Sequence, residues 1–399
     1  MLTLGSRILV VDDEPTNRDI LERRLAKLGY LVFTAADGRQ CLDYLADQEY
    51  DLVLLDIMMP VLDGMATLRE IRSRFAAGRL PVIMTTARDG TEDIVDALRA
   101  GANDYVTKPI DFPVLQARLD THLRLKQTTA DLELAYQRIK REIDTAARIQ
   151  RAQIPASALV HHGLRCCCRY LPCEELAGDI LDYYVLSPDQ VALYLLDVSG
   201  HGAGAALLSS GLSRLLAAGS WGYSVVGGSG STAGQARRRS DDHPAPPKEV
   251  LARLNRRFPM DYENSQFFTI LYAIVEPQRG VLRYASAGHP GPLIIRRDGG
   301  NVERAGSTGL PVGVIQETSF AEKELHINRG DKVLFFSDGV VEASDRQRRL
   351  FGYERLIGLL AGAGDQDMEN IMDQVIREVQ DWSDGSPQDD ITLLGLEYE

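Results

Sequence analysis

The 399-residue sequence has little cysteine, no long apolar run and no surplus of positive charge. Each shortage closes off a class of protein. Its five cysteines, Cys41, Cys166, Cys167, Cys168 and Cys173, are an odd number, and three are consecutive. That spacing strains disulfide geometry and lacks the paired knuckles of a zinc site, so they read as reduced strand residues. No segment approaches the ~18 uninterrupted apolar residues of a spanning helix. The start, MLTLGSRILVVDDEP, reaches acids after one short apolar run without a cationic lead, so a signal peptide is not expected. The expected location is the cytoplasm, with no membrane partner. With 44 Lys and Arg against 57 Asp and Glu, the formal net charge is -13, which repels phosphate backbones and argues against nucleic acid as a partner.

What is present is globular. Hydrophobic residues make up 44% and charged residues 25%, so neither a fibrous nor a wholly disordered chain fits, and the length predicts roughly two to three domains. From Arg7 to about residue 122, the runs ILVVD, YLVFTA, DLVLLD, LPVIMTT and NDYVT alternate with amphipathic stretches such as Asn17 to Leu28. This rhythm predicts βα units around a parallel sheet, an α/β doubly wound domain. Ligands of such sheets bind outside the carboxyl ends of the strands, which here carry Asp12, Asp13, Asp56, Thr86 and Lys108.

Residues 114 to 153 contain no Gly, and Leu125, Thr129, Leu132, Tyr136, Ile139, Ile143 and Ala146 recur at spacings of four and three. This is a heptad seam, with Arg138, Lys140, Arg141 and Glu142 on other faces. It reads as a coiled-coil signalling helix that pairs with a second copy, the alternative being a helix packed on its own domain. Pro155 ends it. Beyond residue 164, the strand-like VALYLLDV, FFTILYAIV, VLRYASA, PLIIRR, KVLFFSD and ITLLGLE are interrupted by helix-like Ala203 to Leu216, Lys248 to Phe258 and Asp367 to Trp382. An α+β sheet sandwich flanked by helices is expected. The stretch 220–247, rich in Gly, Ser and Arg and ending in PAPP, reads as a flexible insertion whose RRRS is a solvated loop or a docking site. The expected domains are 1–122, a helical linker over 123–153, and 154–399.

Three carboxylates at adjacent strand ends repel one another unless a cation sits among them, and Mg²⁺ suits Asp12, Asp13 and Asp56. A metal, the Thr86 hydroxyl and the Lys108 ammonium would surround a phosphoryl group on Asp56, which makes Asp56 the nucleophile. Lys108-Pro109 has the option of a cis bond. The acid pair of VVDDEP, LLDIMMPVLDG, MTTA and GANDYVTKP together resemble a CheY-like response-regulator receiver domain over about residues 5 to 122. That resemblance implies Mg²⁺ on Asp13, Asp56 and the Met58 carbonyl with help from Asp12, and a switch in which Thr86 and Tyr105 reorient on phosphorylation. It also implies a histidine kinase or phosphotransfer protein as the phosphate donor.

In the second half, aspartates again stand at or just before strands: Asp179 in AGD, Asp197 in LYLLDVSGHG, Asp338 in LFFSDGVVEA, and Asp389 and Asp390 in QDDITLL. Converging carboxylates without a His or Cys cluster favour Mn²⁺ or Mg²⁺ over zinc. Two such ions ~3.5–4 Å apart can share a water and lower its pKa. These segments, with AARIQRAQIP, FFTILYAIV and ASAGHPGPL, resemble the type-2C (PPM) metal-dependent serine/threonine phosphatases, particularly the SpoIIE and RsbU branch, over about residues 150 to 399. The resemblance implies that Asp197 bridges two Mn²⁺ or Mg²⁺ ions, that the Val198 carbonyl is a ligand, and that Asp338 and Asp389 complete the first site. Asp179 would be an outer or second-metal carboxylate and Asp390 a polar neighbour. Ala177 and His201 depart from the Gly and Lys common in that branch, and the glycines of Gly200-His201-Gly202 leave room for water and backbone near the ions. His201 and His289 read as structural histidines rather than general acids.

The expected function is a response regulator in which Asp56 phosphorylation controls a protein phosphatase. Family likeness makes a STAS-type anti-sigma-factor antagonist the substrate. A non-catalytic adaptor holding a sigma factor is the alternative, opposed by the several mutually repelling acids. A GGDEF-type cyclase is disfavoured because ILDYY lacks an acid directly after AGD.

Overall fold

A parallel sheet is buried on both faces, so its strands read as short continuous apolar runs, and in the first half of the chain they fold accordingly. The computed structural model describes residues 5–86, 91–200, 202–217, 244–259, 267–297, 301–307, 309–385 and 387–399. Strands β1 (Arg7–Val11), β2 (Leu31–Ala35), β3 (Leu52–Asp56), β4 (Val82–Thr86) and β5 (Asp104–Thr107) alternate with helices α1 (Pro15–Lys27), α2 (Gly38–Asp47), α3 (Gly64–Arg74) and α4 (Thr91–Arg99). All pairings are parallel in the order β2-β1-β3-β4-β5. The sheet's alternation splits the core: Leu9, Val11, Val53 and Leu55 pack on one face, Ile8, Val10, Leu52 and Leu54 on the other. Helix starts follow local chemistry. The Asp37 and Asp63 carboxylates accept from the amides of Gln40 and Ala66, at 2.9 and 2.7 Å, and Pro15 opens α1. With both faces covered, polar groups are left to the strand ends.

Helix α5 runs for 40 residues, Phe112–Arg151. Leu115, Leu119 and Leu123 are buried in the receiver-like core, residues 127–146 are exposed throughout, and burial resumes at Ala147 and Gln150. The whole predicted seam, Leu125 to Ala146, therefore lies on exposed turns. The chain divides into two compact units, Met1–Lys140 and Arg141–Glu399, with the division inside α5. Among the described residues, no helix is long and apolar enough to cross a membrane.

In the second unit β6 (Leu159–His161), β7 (Leu164–Leu171), β8 (Ile180–Ser187) and β9 (Gln190–Val198) precede α6 (Ala203–Leu216) and α7 (Pro247–Arg257). Then come β10 (Phe268–Glu276), β11 (Val281–Ala287), β12 (Leu293–Ile295), β13 (Val302–Arg304), β14 (Lys323–His326) and β15 (Lys332–Phe336), followed by α8 (Asp338–Glu342), α9 (Gly352–Ala361), α10 (Met368–Trp382) and β16 (Ile391–Tyr398). Two antiparallel sheets form, β14-β11-β10-β9-β8 and β13-β12-β15-β16-β7-β6. Period-two alternation puts Leu193, Leu195, Leu271, Phe335 and Leu394 between the sheets. The outward residues of the first sheet, such as Tyr194, Leu196 and Tyr272, pack on α6 and α7, and those of the second, such as Leu334 and Leu393, on α9 and α10. The result is a helix-sheet-sheet-helix stack, the sandwich expected from the sequence, with α8, α9 and the short β6, β13 and β14 added to it.

The consecutive cysteines lie in β7 and are free; burial pushes the Cys167 thiol up to about 12, so it stays protonated. Pro247, read as the end of an insertion, instead opens α7. The rest of that insertion, apart from Pro244, Ala245 and Pro246, lies outside the described residues, as does His201. Phe335 is 1% exposed at the centre of the sandwich. Phe335→Ala is expected to destabilise the second unit by about 3–5 kcal/mol in a urea titration, against about 0.5 kcal/mol or less for Leu207→Ala at an exposed position of α6.

Candidate functional site

Two acidic centres form, and they differ in how their charge is balanced. In the first unit Asp12 directly follows β1 and Asp56 ends β3, both buried, while Asp13 beside them is exposed. One oxygen from each of the three lies within 4.8 Å of the others, close enough to share a single ion. Lys108, after β5, reaches Asp12 and Asp56 with Nζ at 2.7 and 2.6 Å. Burial pushes the Asp56 carboxyl up, helped by Asp12 and opposed by Lys108. Burial pulls the Lys108 ammonium down, but its hydrogen bonds to Asp12 and Asp56 more than compensate and its pKa stands above the usual lysine range. The Lys108–Pro109 bond is cis. Thr86 is buried at the end of β4, one residue beyond Thr85, which pairs with Asp56 in the sheet, and Tyr105 lies in β5 with the Arg118 guanidinium 5.5 Å from its ring centre. Met58 follows β3 with an exposed side chain, and its backbone bonds the Asp56 carboxylate.

In the second unit the predicted acids converge at one end of the sandwich from both sheets. Asp197 is in β9 and Asp179 precedes β8; Asp338 is the first residue of α8, just beyond β15, and Asp389 and Asp390 precede β16. Asp179 is fully buried, its carboxylate accepting from the Thr392 hydroxyl and facing Ser337. Burial, then the charges of Asp197 and Asp390, push its pKa well above the carboxylate range. Burial followed by Asp338, Asp389 and Asp390 pushes Asp197 up to about 7, and burial followed by Asp389 and Glu342 pushes Asp338 up to about 6. Asp389 is exposed and accepts from the Asp390 amide at 2.8 Å. Among the described residues these acids do not bring three oxygens within the 4.8 Å reached in the first unit. Asp197 and Asp179 share a side-chain hydrogen bond, and Asp338, Asp389 and Asp390 stand within electrostatic range of Asp197.

Asp390 has a larger part than that of a polar neighbour. Its carboxylate accepts from the amides of Cys173 and Gly178, both at 2.9 Å, and Asp179, at 3.3 Å, tying the segment before β8 to the start of β16. A Cβ on Gly178 would stand 2.7 Å from the Val198 carbonyl oxygen, so only glycine lets the Asp179 segment lie against β9. At Gly200 and Gly202 space is open, and the requirement is instead their left-handed φ values of 89° and 82°. His289 is buried, with Nδ1 2.8 Å from the Thr269 hydroxyl, and burial pulls its pKa down to about 3, an architectural setting.

One residue of the AARIQRAQIP run was given no role by the sequence. Gln150, buried in the last turn of α5, accepts from the Ala177 amide at 3.2 Å, donates to the Ala177 carbonyl at 2.8 Å and contacts the Ser209 hydroxyl of α6 at 3.2 Å. A lone glutamine inside a helix has no spacing signature, so the motif that contains it gave it no partner.

The chemistry of the second centre fits divalent cations. Among the described residues Asp179, Asp197 and Asp338 have no Lys, Arg or His ion pair, whereas Lys108 serves Asp12 and Asp56. Hard oxygen donors holding uncompensated negative charge match Mn²⁺ or Mg²⁺. Comparison with known proteins agrees. The family model of the response regulator receiver domain matches residues 8–120, and that of stage II sporulation protein E (SpoIIE) matches residues 187–399, beginning after Asp179. Among solved structures, the SiaA-PP2C domain of Pseudomonas aeruginosa is 18% identical with a TM-score of 0.53, covering 66% of this chain and 99% of its own, a likeness of fold. The RsbU and RsbW domains of a Mycobacterium tuberculosis protein are 24% identical with a TM-score of 0.47, covering 61% of this chain and 62% of theirs. A Francisella response-regulator receiver domain is 30% identical with a TM-score of 0.29, covering 30% of this chain and 98% of its own. The molecule is a receiver domain joined to a metal-dependent protein serine/threonine phosphatase domain. It belongs to the SpoIIE family.

The raised acids set a pH dependence. Without metal, a carboxyl whose folded pKa of about 7 exceeds its unfolded value near 4 binds a proton more readily when folded, so its contribution to stability is full below about pH 4 and is lost as pH rises toward 7. In chelated protein, Asp197→Asn is therefore expected to raise the melting temperature more at pH 8 than at pH 5, measured by thermal denaturation against wild type.

Proposed function

We propose that phosphorylation of Asp56 controls hydrolysis of phosphoserine or phosphothreonine on a protein substrate, and that the acids of the second unit hold two Mn²⁺ or Mg²⁺ ions. The observation that carries the reading is the set of mutually repelling carboxylates, Asp179 buried and Asp197 and Asp338 half-buried, without a cationic partner among the described residues. A network of this kind is destabilising in a pure binding surface and useful in a metal centre. In this reading Asp197 would serve both ions, the Val198 carbonyl, Asp338 and Asp389 would be further ligands, and Asp179 would serve the second ion. Ligands divided between two ions need not all crowd within the span of one. When bound, such a pair supplies Lewis acidity toward the phosphoryl oxygens and toward water. The protein's part is geometric. Asp390 holds the Asp179 segment in register, and Thr392 and Ser337 orient the Asp179 carboxylate.

In the receiver, Asp12, Asp13, Asp56 and the Met58 carbonyl would hold Mg²⁺. Asp56 accepts the phosphoryl group from a histidine kinase or phosphotransfer protein, Lys108 offsets its charge, and Thr86 and Tyr105 relay the change. The functional pieces are the receiver over 1–122, the linker over 123–153 and the phosphatase over 154–399. The exposed seam from Leu125 to Ala146 supports pairing with a second copy, a homodimer through the linker. Gln150 gives that helix a grip on the phosphatase: its bonds to Ala177, two residues before Asp179, would convert rotation of α5 into movement of a metal-site acid. The fitting substrate, by family likeness, is a STAS-type anti-sigma-factor antagonist, and the fitting location the cytoplasm.

Mn²⁺-dependent phosphate release from a phosphoserine protein is expected to fall by about 100-fold or more in Asp338→Asn; unchanged release would remove the metal assignment. Acetyl phosphate is expected to change the wild-type rate, in either direction. That response should vanish in Asp56→Asn and shrink below about twofold in Gln150→Ala, whose grip on Ala177 is gone. A full response in Gln150→Ala would place the transmission elsewhere.

A further inference from the structure

The turn between α8 and α9 carries three arginines within four residues, Arg346, Arg348 and Arg349, in a chain whose net charge is -13. It is a built hairpin. Ser344 and Leu350 form an antiparallel bridge, the Arg348 amide donates to the Asp345 carbonyl at 2.9 Å, and the Phe351 amide closes the neck on the Ala343 carbonyl at 2.8 Å. The Asp345 carboxylate ties the tip from inside, accepting from the amides of Gln347 and Arg349 at 2.8 and 2.9 Å and from Arg349 Nε at 2.7 Å. From outside, Trp382 at the end of α10 donates its indole N–H to the Arg349 carbonyl at 3.0 Å and packs edge-on against Phe351.

This hairpin adjoins the metal-site acids. The Ser344 hydroxyl bonds the side chain of Gln388, the residue before Asp389, and Arg346 pairs with Asp384 on the same stretch. Two of its three guanidiniums are offset by carboxylates, Arg346 by Asp384 and Arg349 by Asp345. Arg348 is different. It is exposed, has no side-chain partner among the described residues, and stands at φ 61°, a left-handed conformation that a non-glycine residue adopts at some strain. A bonded framework thus fixes the backbone of an arginine that is exposed and has no side-chain partner among the described residues, and Leu350 beside it is 54% exposed.

We propose that this hairpin is a docking element for the protein substrate, and that it selects phosphoprotein segments with Asp or Glu flanking the phosphorylated residue. The inference rests on the phosphatase reading and adds the substrate class. An acidic flank approaching the centre meets the repulsion of Asp389 and its neighbours; the guanidinium of Arg348 on the adjoining turn offsets that repulsion, and the rigid turn reduces the ordering cost of the contact. The phosphoryl group itself belongs at the acids and their cations, which leaves the hairpin the residues beside it.

The test uses the full chain with Mn²⁺ and three phosphoserine peptides that differ only in flanking Glu, Ala or Lys. Wild type is expected to favour the Glu-flanked over the Lys-flanked peptide by about fivefold in kcat/KM, the scale of one exposed charge pair with its reversal. The preference should shrink with added salt, disappear or invert in Arg348→Glu, and survive in Arg348→Lys. Absence of a flank preference in wild type, or an equal loss on all three peptides in Arg348→Glu, overturns the docking assignment. Fluorescence anisotropy with the same labelled peptides reads the preference without turnover. Failure to hydrolyse any of them therefore counts against the phosphatase reading alone, and the binding ratio still decides the role of Arg348.

Discussion

Repulsion among carboxylates that the fold refuses to separate is the constraint on which the second unit depends. Asp197 arrives on one sheet and Asp338 and Asp389 on the other, and the sandwich edge holds them in each other's field, with Asp197 and Asp338 displaced upward in pKa. A protein that keeps such a cluster sacrifices stability in the metal-free state, a cost that bound divalent cations would offset. Much of the surrounding structure reads as a response to that load: the fully apolar layer between the sheets, the Asp390 carboxylate spanning three amides, and a glycine at 178 where any side chain would drive the strands apart.

The receiver solves the same electrostatic problem by different means. There an ammonium from Lys108 bridges Asp12 and Asp56, so part of the charge is balanced within the protein. Asp179, Asp197 and Asp338 of the second unit have no such cation among the described residues. Helix α5 is the covalent path between the two units, buried at both ends and bare in the middle.

A helix that is bare over residues 127–146 yet carries an apolar seam gains little from its own chain. Its stability is therefore open to influence by pairing, as the proposed control by the receiver would require. At its last turn the exposed pattern gives way to Gln150, whose amide replaces backbone partners that Ala177 would otherwise lack, so the end of the helix is held by directional bonds rather than by area alone.

By itself the sequence determined the elements and their chemistry. The runs ending in Asp12, Asp56 and Thr86 became parallel strands, the alternating VALYLLDV and ITLLGLE became sandwich strands, and the acids marked at 179, 197, 338, 389 and 390 all reached one edge. These were legible because hydrophobic period and strand-end position are local properties of the chain. Only the tertiary structure decided what depends on distant partners. Gln150 acquired a role from Ala177, 27 residues away, Asp390 from amides more than 200 residues away, and Pro247 began a helix instead of ending a loop. Arg348 became conspicuous only when Asp345 and Trp382 fixed the turn beneath it. Hydrogen bonds between segments far apart in the chain leave no period in either one, so their meaning appears only when folding brings the two together.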